Sequence, residues 1–533
     1  MSGPYRDSGE DQPVDAPRDE GIVGEVIAQF ADINAFYREL VQNSIDAGSP
    51  TIEVELDYDH EAQHMKVSVK DRGEGMTRDI VENQLLVLFR STKEKDSSKI
   101  GKFGIGFASV LAPNPEVVRV NTSRDKRRLT LHLYRDLTYE LFDAGAATQN
   151  GTTVTLELAM KPGDVKEFVN NSRAALKRWC QHATVPIEFW ETRPDGSRFG
   201  EQITRPLELD RPLAQVRAVT DGGQLTVVVG LGVPFTEFFN HGLLLYSTID
   251  PLIGNFAVKI QDARLGHTIS RDDVRRDEHF HRAVAFAKEV AFKQLAREAE
   301  RTLRERAEAG DVETVELLVG SCAHANLELT EYWLPLVEPV GGEKVFNIFL
   351  LERAWASTRS TPLTVELAAQ GTRVFLCKDF ERLADNLAEV TRAKLREVHS
   401  ELTSIKPVER TDRDELLIAT LLEILDKVYR DPGAVVLAEL IGQHADRLTI
   451  AGQGAGHHVV ENDAAAKNPF ALLGRRPLVL SIAHPLVRAA RTHDDPKLAA
   501  AHLARAVLVN HRLLDPDRSQ EILELALAHA GLA

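Results

Sequence analysis

The run FYRELVQNSIDAG (36–48) decides the reading of this chain. Glu39 lies four residues before Asn43, and Asp46 lies three after it. A helix turns once in about 3.6 residues, so these three polar side chains share one face. An acid and an amide one turn apart can hold a water and a metal ion side by side. Two further runs follow, DRGEGM (71–76) and GKFGIGF (101–107). Together the three runs spell a nucleotide site built without a P-loop.

Each run has its own chemistry. Asp71 opens a D-x-G-x-G turn. A buried carboxylate there can accept a hydrogen bond from an exocyclic amine, while Gly73 and Gly75 let the backbone approach a flat ring and Met76 packs on it. In the third run Gly101, Gly104 and Gly106 alternate with Lys102, Phe103, Ile105 and Phe107 ahead of an apolar helical segment. Backbone N–H groups exposed at a helix start cradle an anion. Asn43 offers an amide oxygen, a hard ligand suited to Mg²⁺, which keeps several waters and bridges to phosphates. Glu39 is then placed to polarise an attacking water as general base. Taken singly, each feature has an ordinary explanation: a common turn, a frequent Gly-rich loop, a solvated glutamate on a helix. Their order and spacing together carry the assignment.

That order and spacing resemble the GHKL ATPase superfamily, with its Bergerat nucleotide fold. The runs RELVQNSIDAG, DRGEGM and GKFGIGF resemble in particular the heat-shock protein 90 family and its bacterial members. The resemblance implies that Glu39 is the catalytic base, Asn43 the Mg²⁺ ligand and Asp71 the adenine reader, with Gly75 and Met76 lining the base pocket. Lys93, in FRSTKEK, resembles the phosphate-facing lysine of the lid region, and Gly101 to Phe107 match the lid hinge that binds phosphate. Thr152, in NGTTVTLEL, resembles the threonine that backs the adenine carboxylate through water. Asp46 and Asn83 complete the expected nucleotide-contacting set.

Later segments extend the likeness. VKIQDARLGHTISRDDVRRD resembles the middle-domain stretch ending in Ser-Arg, which makes Arg271 the arginine that reaches the γ-phosphate. A guanidinium aimed at developing phosphate charge lowers that barrier. The plain alternative is a surface arginine in an Arg-rich stretch with Arg264, Arg275 and Arg276. Near the end, RPLVLSIAHPLVRAARTHDD and AHLARAVLVNHRLLDPDRSQEIL resemble the bacterial chaperone C-terminus, where the last helices pair two protomers. The match there is to the His484-Pro485-Leu486 core, with His484 read as a turn or helix-start residue. The apolar set that includes Leu503, Val507, Leu508, Ile522, Leu523 and Leu527 exceeds what one small helical unit buries, so an isologous homodimer through these helices is expected.

The bulk properties set the frame. The chain has 533 residues, and at roughly 100–200 residues per domain it should hold three or four domains. With 43% hydrophobic and 27% charged residues it is an ordinary globular protein. A net charge of −16 argues against a sequence-independent grip on nucleic acid. Three scattered cysteines, Cys180, Cys322 and Cys377, suggest neither a disulfide framework nor a CxxC metal site, and fit a reducing cytoplasm. Residues 1–20 are polar and lack the apolar core of a signal peptide, so a disordered tail is expected. No run approaches the length of a membrane span.

The expected fold is α+β. A Bergerat ATP-binding domain occupies 21–200, an α/β middle domain 205–400, and a mainly helical dimerisation domain 410–533. Residues 192–212 read as a polar boundary, KVFNIFLLE and GTRVFLC as strands flanking a helix, and 452–468 as a loop in which His457-His458 is solvated and not a metal site. The expected activity is Mg²⁺-dependent ATP hydrolysis by a dimeric, cytoplasmic chaperone that binds client proteins. The segment between Phe89 and Gly101 is short for that family and is closer to the lids of repair- and MORC-type ATPases. A GHKL ATPase acting on nucleic acid, or a specialised stress or defence ATPase, therefore remains as an alternative.

Overall fold

A computed structural model describes residues 33–86, 106–193, 196–268, 273–471, 476–529 and 531. The chain divides into two compact units, Met1–Leu295 and Ala296–Ala533.

The first unit begins with helix α1 (Ala35–Asp46), whose buried face is Phe36, Tyr37, Leu40, Val41 and Ser44. That spacing of one and two helical turns puts them on one stripe. Strands β1 (Ile52–Asp59) and β2 (His64–Asp71) follow as an antiparallel pair. In β1, Ile52, Val54, Leu56 and Tyr58 alternate inward, as a sheet with one covered face requires. Strands β3 (Val117–Arg124), β4 (Arg127–Tyr134), β5 (Tyr139–Ala146) and β6 (Gly151–Ala159) precede helix α2 (Val165–Cys180). After it come β7 (Ile187–Thr192) and β8 (Arg198–Gln202). They form an eight-stranded sheet in the order β5-β4-β3-β6-β2-β1-β7-β8, antiparallel except where β1 meets β7. Helices α1 and α2 pack against each other.

A second sheet of the same unit has the order β12-β11-β13-β10-β9. Its strands are β9 (Ala214–Thr220), β10 (Leu225–Leu231), β11 (Phe235–Asn240), β12 (Leu243–Thr248) and β13 (Ala257–Asp262). Every residue of β10 is buried, which explains its unbroken apolar run LTVVVGL. Helix α3 (Glu278–Glu289) then starts on Asp277, whose carboxylate accepts from the His279 and Phe280 N–H groups.

The second unit holds two five-stranded sheets. The first has the order β15-β14-β17-β16-β18. Its strands are β14 (Trp333–Val340), β15 (Glu343–Asn347), β16 (Arg353–Ser357), β17 (Val374–Leu376) and β18 (Lys394–Glu397). The second joins β19 (Leu402–Pro407), β20 (Val435–Gly442), β21 (Thr449–Ala451), β22 (His458–Glu461) and β23 (Leu478–Ser481). Helix α4 (Asp412–Val428) and the closing helices α5 (Pro485–Thr492), α6 (Pro496–Asn510) and α7 (Pro516–His529) share one apolar core.

Several expectations are corrected. The strand–helix–strand unit runs from β16 through a helix at Pro362–Ala369 to β17, which is parallel to β16. KVFNIFLLE instead supplies β15 and a 3₁₀ turn. The helical third region is built on a sheet, and β19, before residue 410, is one of its strands. The supposed loop 452–468 contains β22 and a helical turn, and His457 is bonded to the buried Glu366 carboxylate. Strands β5 and β8 were hidden because they are edge strands with mostly exposed side chains, so alternation of apolar residues fades. His484 is the N-cap of α5, its Nδ1 accepting from the Leu486 N–H at 3.2 Å.

Candidate nucleotide site

The loop after β2 is locked to the end of α1. The Glu74 N–H donates to the Ala47 carbonyl at 2.9 Å, and the Arg72 N–H donates to Ser49 Oγ at 2.8 Å. Gly73 has no room for a side chain, because a Cβ would lie 2.6 Å from the Ala47 oxygen. Gly75 has φ +70°, and a Cβ there would collide with the Ser123 carbonyl. These two glycines let the loop nest between α1 and β3.

The result is a cavity of about 200 Å³. Its apolar wall includes Leu40, Val69, Met76, Phe107, Val120 and Val154. Asn43, Ser44 and Asp46 line it from α1, with Asp71, Gly75 and Thr152 from the sheet side and Gln84 from the helical turn after the loop. A concave, largely apolar wall with a few convergent polar groups suits a flat heterocycle.

Asp71 is fixed by neutral donors. Its Oδ1 accepts from the Gly73 N–H at 2.8 Å and the Thr152 N–H at 3.2 Å. Burial pushes its carboxyl above the ordinary range, and the bonds from Gly73, Thr152 and Ser44 pull the other way. Thr122 ties the parts together: its Oγ1 accepts from the Met76 N–H at 2.8 Å and lies 3.1 Å from Thr152 Oγ1. Thr122 and Thr152 are register partners on β3 and β6. A largely apolar pocket with one oriented carboxylate fits a base bearing an exocyclic amine.

The expected residues fall into three groups. Asn43, Asp46, Asp71, Gly75, Met76, Phe107 and Thr152 come together around the cavity, and Gly106 adjoins them, its carbonyl accepting from Ser109 Oγ. Glu39 and Asn83 do not line it. Glu39 sits one turn before Asn43, with its Oε1 3.0 Å from Arg38 Nη2, and the Arg38 guanidinium lies over the Trp179 ring. Asn83 is exposed and donates to Asp79 at 2.7 Å, because the π-helical turn 81–85 aims Gln84 at the cavity instead. Lys93, Gly101, Lys102, Phe103, Gly104, Ile105 and Arg271 lie outside the described residues. Ser44 and Thr122 were missed, although each is a buried polar residue at an inward position of its element, which is the signal that could have found them.

Residues 33–140 match the family described as histidine kinase-, DNA gyrase B- and HSP90-like ATPase. The first unit therefore carries a GHKL-type ATP-binding domain. Similar proteins include three called chaperone protein HtpG. The one from Idiomarina loihiensis is 30% identical over 192 residues, covering 30% of each chain. That from Photorhabdus laumondii is 26% identical over 257 residues, covering 42% of this chain and 38% of its own. That from Shewanella oneidensis is 28% identical over 208 residues, covering 32% of each. The chain thus spans about a third of the length of these relatives. Among the described residues no helix is long and apolar enough to cross a membrane.

Proposed function

We propose that this protein is an ATP-dependent molecular chaperone of the heat-shock protein 90 type. It is a cytoplasmic dimeric clamp that hydrolyses ATP to ADP and phosphate while holding or remodelling client proteins. The observation that carries the ATP reading is Asp71, a carboxylate set in an apolar cavity by two backbone N–H groups. In this reading Asp71 accepts from the adenine amine, Met76 and Gly75 flank the ring, and Thr152 backs the carboxylate. Asn43, on the same wall, holds Mg²⁺, an ion that would offset phosphate charge.

Glu39 is the general base in this reading. Its carboxylate is paired with Arg38, so that guanidinium must let go before Glu39 can polarise water. Lys93, the run Gly101 to Phe107, and Arg271 serve the phosphates. The clamp reading draws on the relatives called chaperone and on the closing helices, where Leu486, Val509, Leu523 and Leu527 are exposed by 40% or more. Apolar side chains left in water on neighbouring helices suit an isologous dimer.

Glu39→Ala should abolish hydrolysis and leave ATP binding intact, read by phosphate release and by calorimetry. Loss of binding instead would remove Glu39 from the role of base. Light scattering should show a dimer at micromolar concentration, and a strict monomer would sink the clamp. Tight, salt-sensitive DNA binding would favour the nucleic-acid alternative. Proteins trapped from the native cell by Glu39→Ala would distinguish general clients from a specialised stress or defence pathway.

A further inference from the structure

The first unit holds a second, larger cavity of about 530 Å³, away from the Asp71 pocket. It lies where the turn after α2, the segment after β8 and the second sheet converge. Its walls are rigidly set. The Arg205 N–H donates to the Gln181 carbonyl at 2.6 Å, and the Gly242 N–H donates to Gln261 Oε1 at 2.8 Å. A Cβ on Gly242 would collide with the His182 carbonyl, so the two segments are in direct contact.

The lining has a one-sided chemistry. It carries two guanidiniums, Arg205 and Arg217, the amides of Gln202 and Gln224, and no Asp or Glu. Among the described residues neither guanidinium has a carboxylate partner, although the whole chain carries a net charge of −16. Thr226 is 7% exposed and faces this cavity, and its hydroxyl has no hydrogen-bond partner among the described residues. Opening onto the cavity, that hydroxyl is free to bond a ligand or water there.

Behind the lining residue His182 lies a lysine paired with a carboxylate. Lys259, 7% exposed, places Nζ 2.8 Å from His182 Nε2, and its nearest carboxylate is Glu237 at 3.8 Å. His182 is held neutral, its pKa lowered to about 4 by burial and then by Lys259. With Nε2 accepting from the ammonium, the ring proton sits on Nδ1, which donates to the Arg205 carbonyl at 3.3 Å. The ring therefore adds no charge of its own to the cavity wall.

We propose that this cleft is a second ligand site, specific for a small phosphate-bearing molecule held by Arg205 and Arg217 with Thr226 as an added donor. Guanidiniums present a planar fork matched to phosphate oxygens, and the volume lies in the range of small-molecule sites. The site is independent of the adenine pocket and does not rest on the chaperone reading.

The test is calorimetry on the full chain with inorganic pyrophosphate and with uridine diphosphate as probes. Both Arg205 and Arg217 are exposed and unpaired among the described residues, so Arg205→Ser and Arg217→Ser should fold normally, which circular dichroism checks. Each should weaken pyrophosphate binding about tenfold, since a charge-assisted bond is lost. Thr226→Val, which keeps the branched shape, should weaken it by about threefold. Asp71→Asn should leave this binding unchanged while removing ATP recognition at the other pocket. Tighter binding of uridine diphosphate than of pyrophosphate would assign the phosphate to a nucleotide, and equal binding to free phosphates. The proposal is overturned if neither probe binds, if Arg217→Ser changes nothing, or if binding disappears in Asp71→Asn.

Discussion

Two shielded aspartates, one in each unit, sit in opposite electrostatic surroundings. Asp71, at the end of β2, is held by the N–H groups of Gly73 and Thr152 and has no cation partner among the described residues. Burial pushes its carboxyl up. Asp414, in the first turn of α4, is 2% exposed and takes a two-point grip from Arg491, with Nε to Oδ1 at 2.8 Å and Nη2 to Oδ2 at 2.9 Å. It also closes a capping box with Thr411, and Arg491 pulls its pKa to about 2. The same side chain is thus stabilised as an anion in one place and left short of a counter-charge in the other. A carboxylate already paired with a guanidinium is scaffold; one oriented by neutral donors toward a cavity is available to a ligand.

The sharpest break of this contrast is Asp414→Asn. It leaves Arg491 facing an amide that cannot take the two-point grip, and breaking such a shielded pair costs about 3–5 kcal/mol. Urea unfolding of the second unit should show it. The pH dependence has a definite sign. Asp414 is lower in the folded than in the unfolded chain, so its contribution is complete above pH about 4 and is lost as pH falls through about 2. That loss is about 2 kcal/mol in the native protein and should vanish in the variant. A variant that unfolds like the native protein would mean the pair is not scaffold.

Asp71→Asn should behave in the opposite way. Because the folded chain disfavours the charged form of Asp71, stability falls as pH rises through the carboxylate range. Removing the charge should leave unfolding unchanged or slightly later, since an amide oxygen still accepts from Gly73 and Thr152. ATP binding should fall about 100-fold, close to 3 kcal/mol, because the amine then meets a weaker and reorientable acceptor. A large drop in stability with binding retained would reverse the roles assigned to the two aspartates.

The same contrast explains what the sequence made legible. Asp71, Gly73 and Gly75 could be read because each needs one residue type for a stated reason: charge without a partner, or backbone too close for a Cβ. The polar face of α1 was legible from the spacing of Asn43 and Asp46, both of which line the cavity, whereas Glu39, one turn earlier, does not. Asp414 carried no such mark, since its partner lies 77 residues later and only the packing of α4 against α5 and α6 brings them together. Edge strand β8, RFGEQ, has almost nothing buried to betray it, and it fell in a stretch read as a boundary. His457 is exposed, as read, but its bond to Glu366 could not be seen because the two lie 91 residues apart. Local chemistry shows in sequence, whereas long-range pairing does not.

Thr122 tests the contrast most finely, because it contributes to the site while charging nothing. Its hydroxyl accepts from the Met76 N–H and contacts Thr152, so it holds the glycine loop at the distance that Asp71 needs. Thr122→Val keeps the strand's branched shape and removes the hydroxyl, both as acceptor from Met76 and as donor toward Gly151. The Met76 N–H then lacks its bond, which costs about 1 kcal/mol. If the loop's position matters for recognising the base, ATP affinity should drop about fivefold and the hydrolysis rate of bound ATP should hold. Thr122→Ser, which restores an acceptor, should recover most of the affinity. A Val variant that binds ATP as the native chain does would show that Asp71 is positioned by Gly73 and Thr152 alone, with the Thr122 bond serving only the strand.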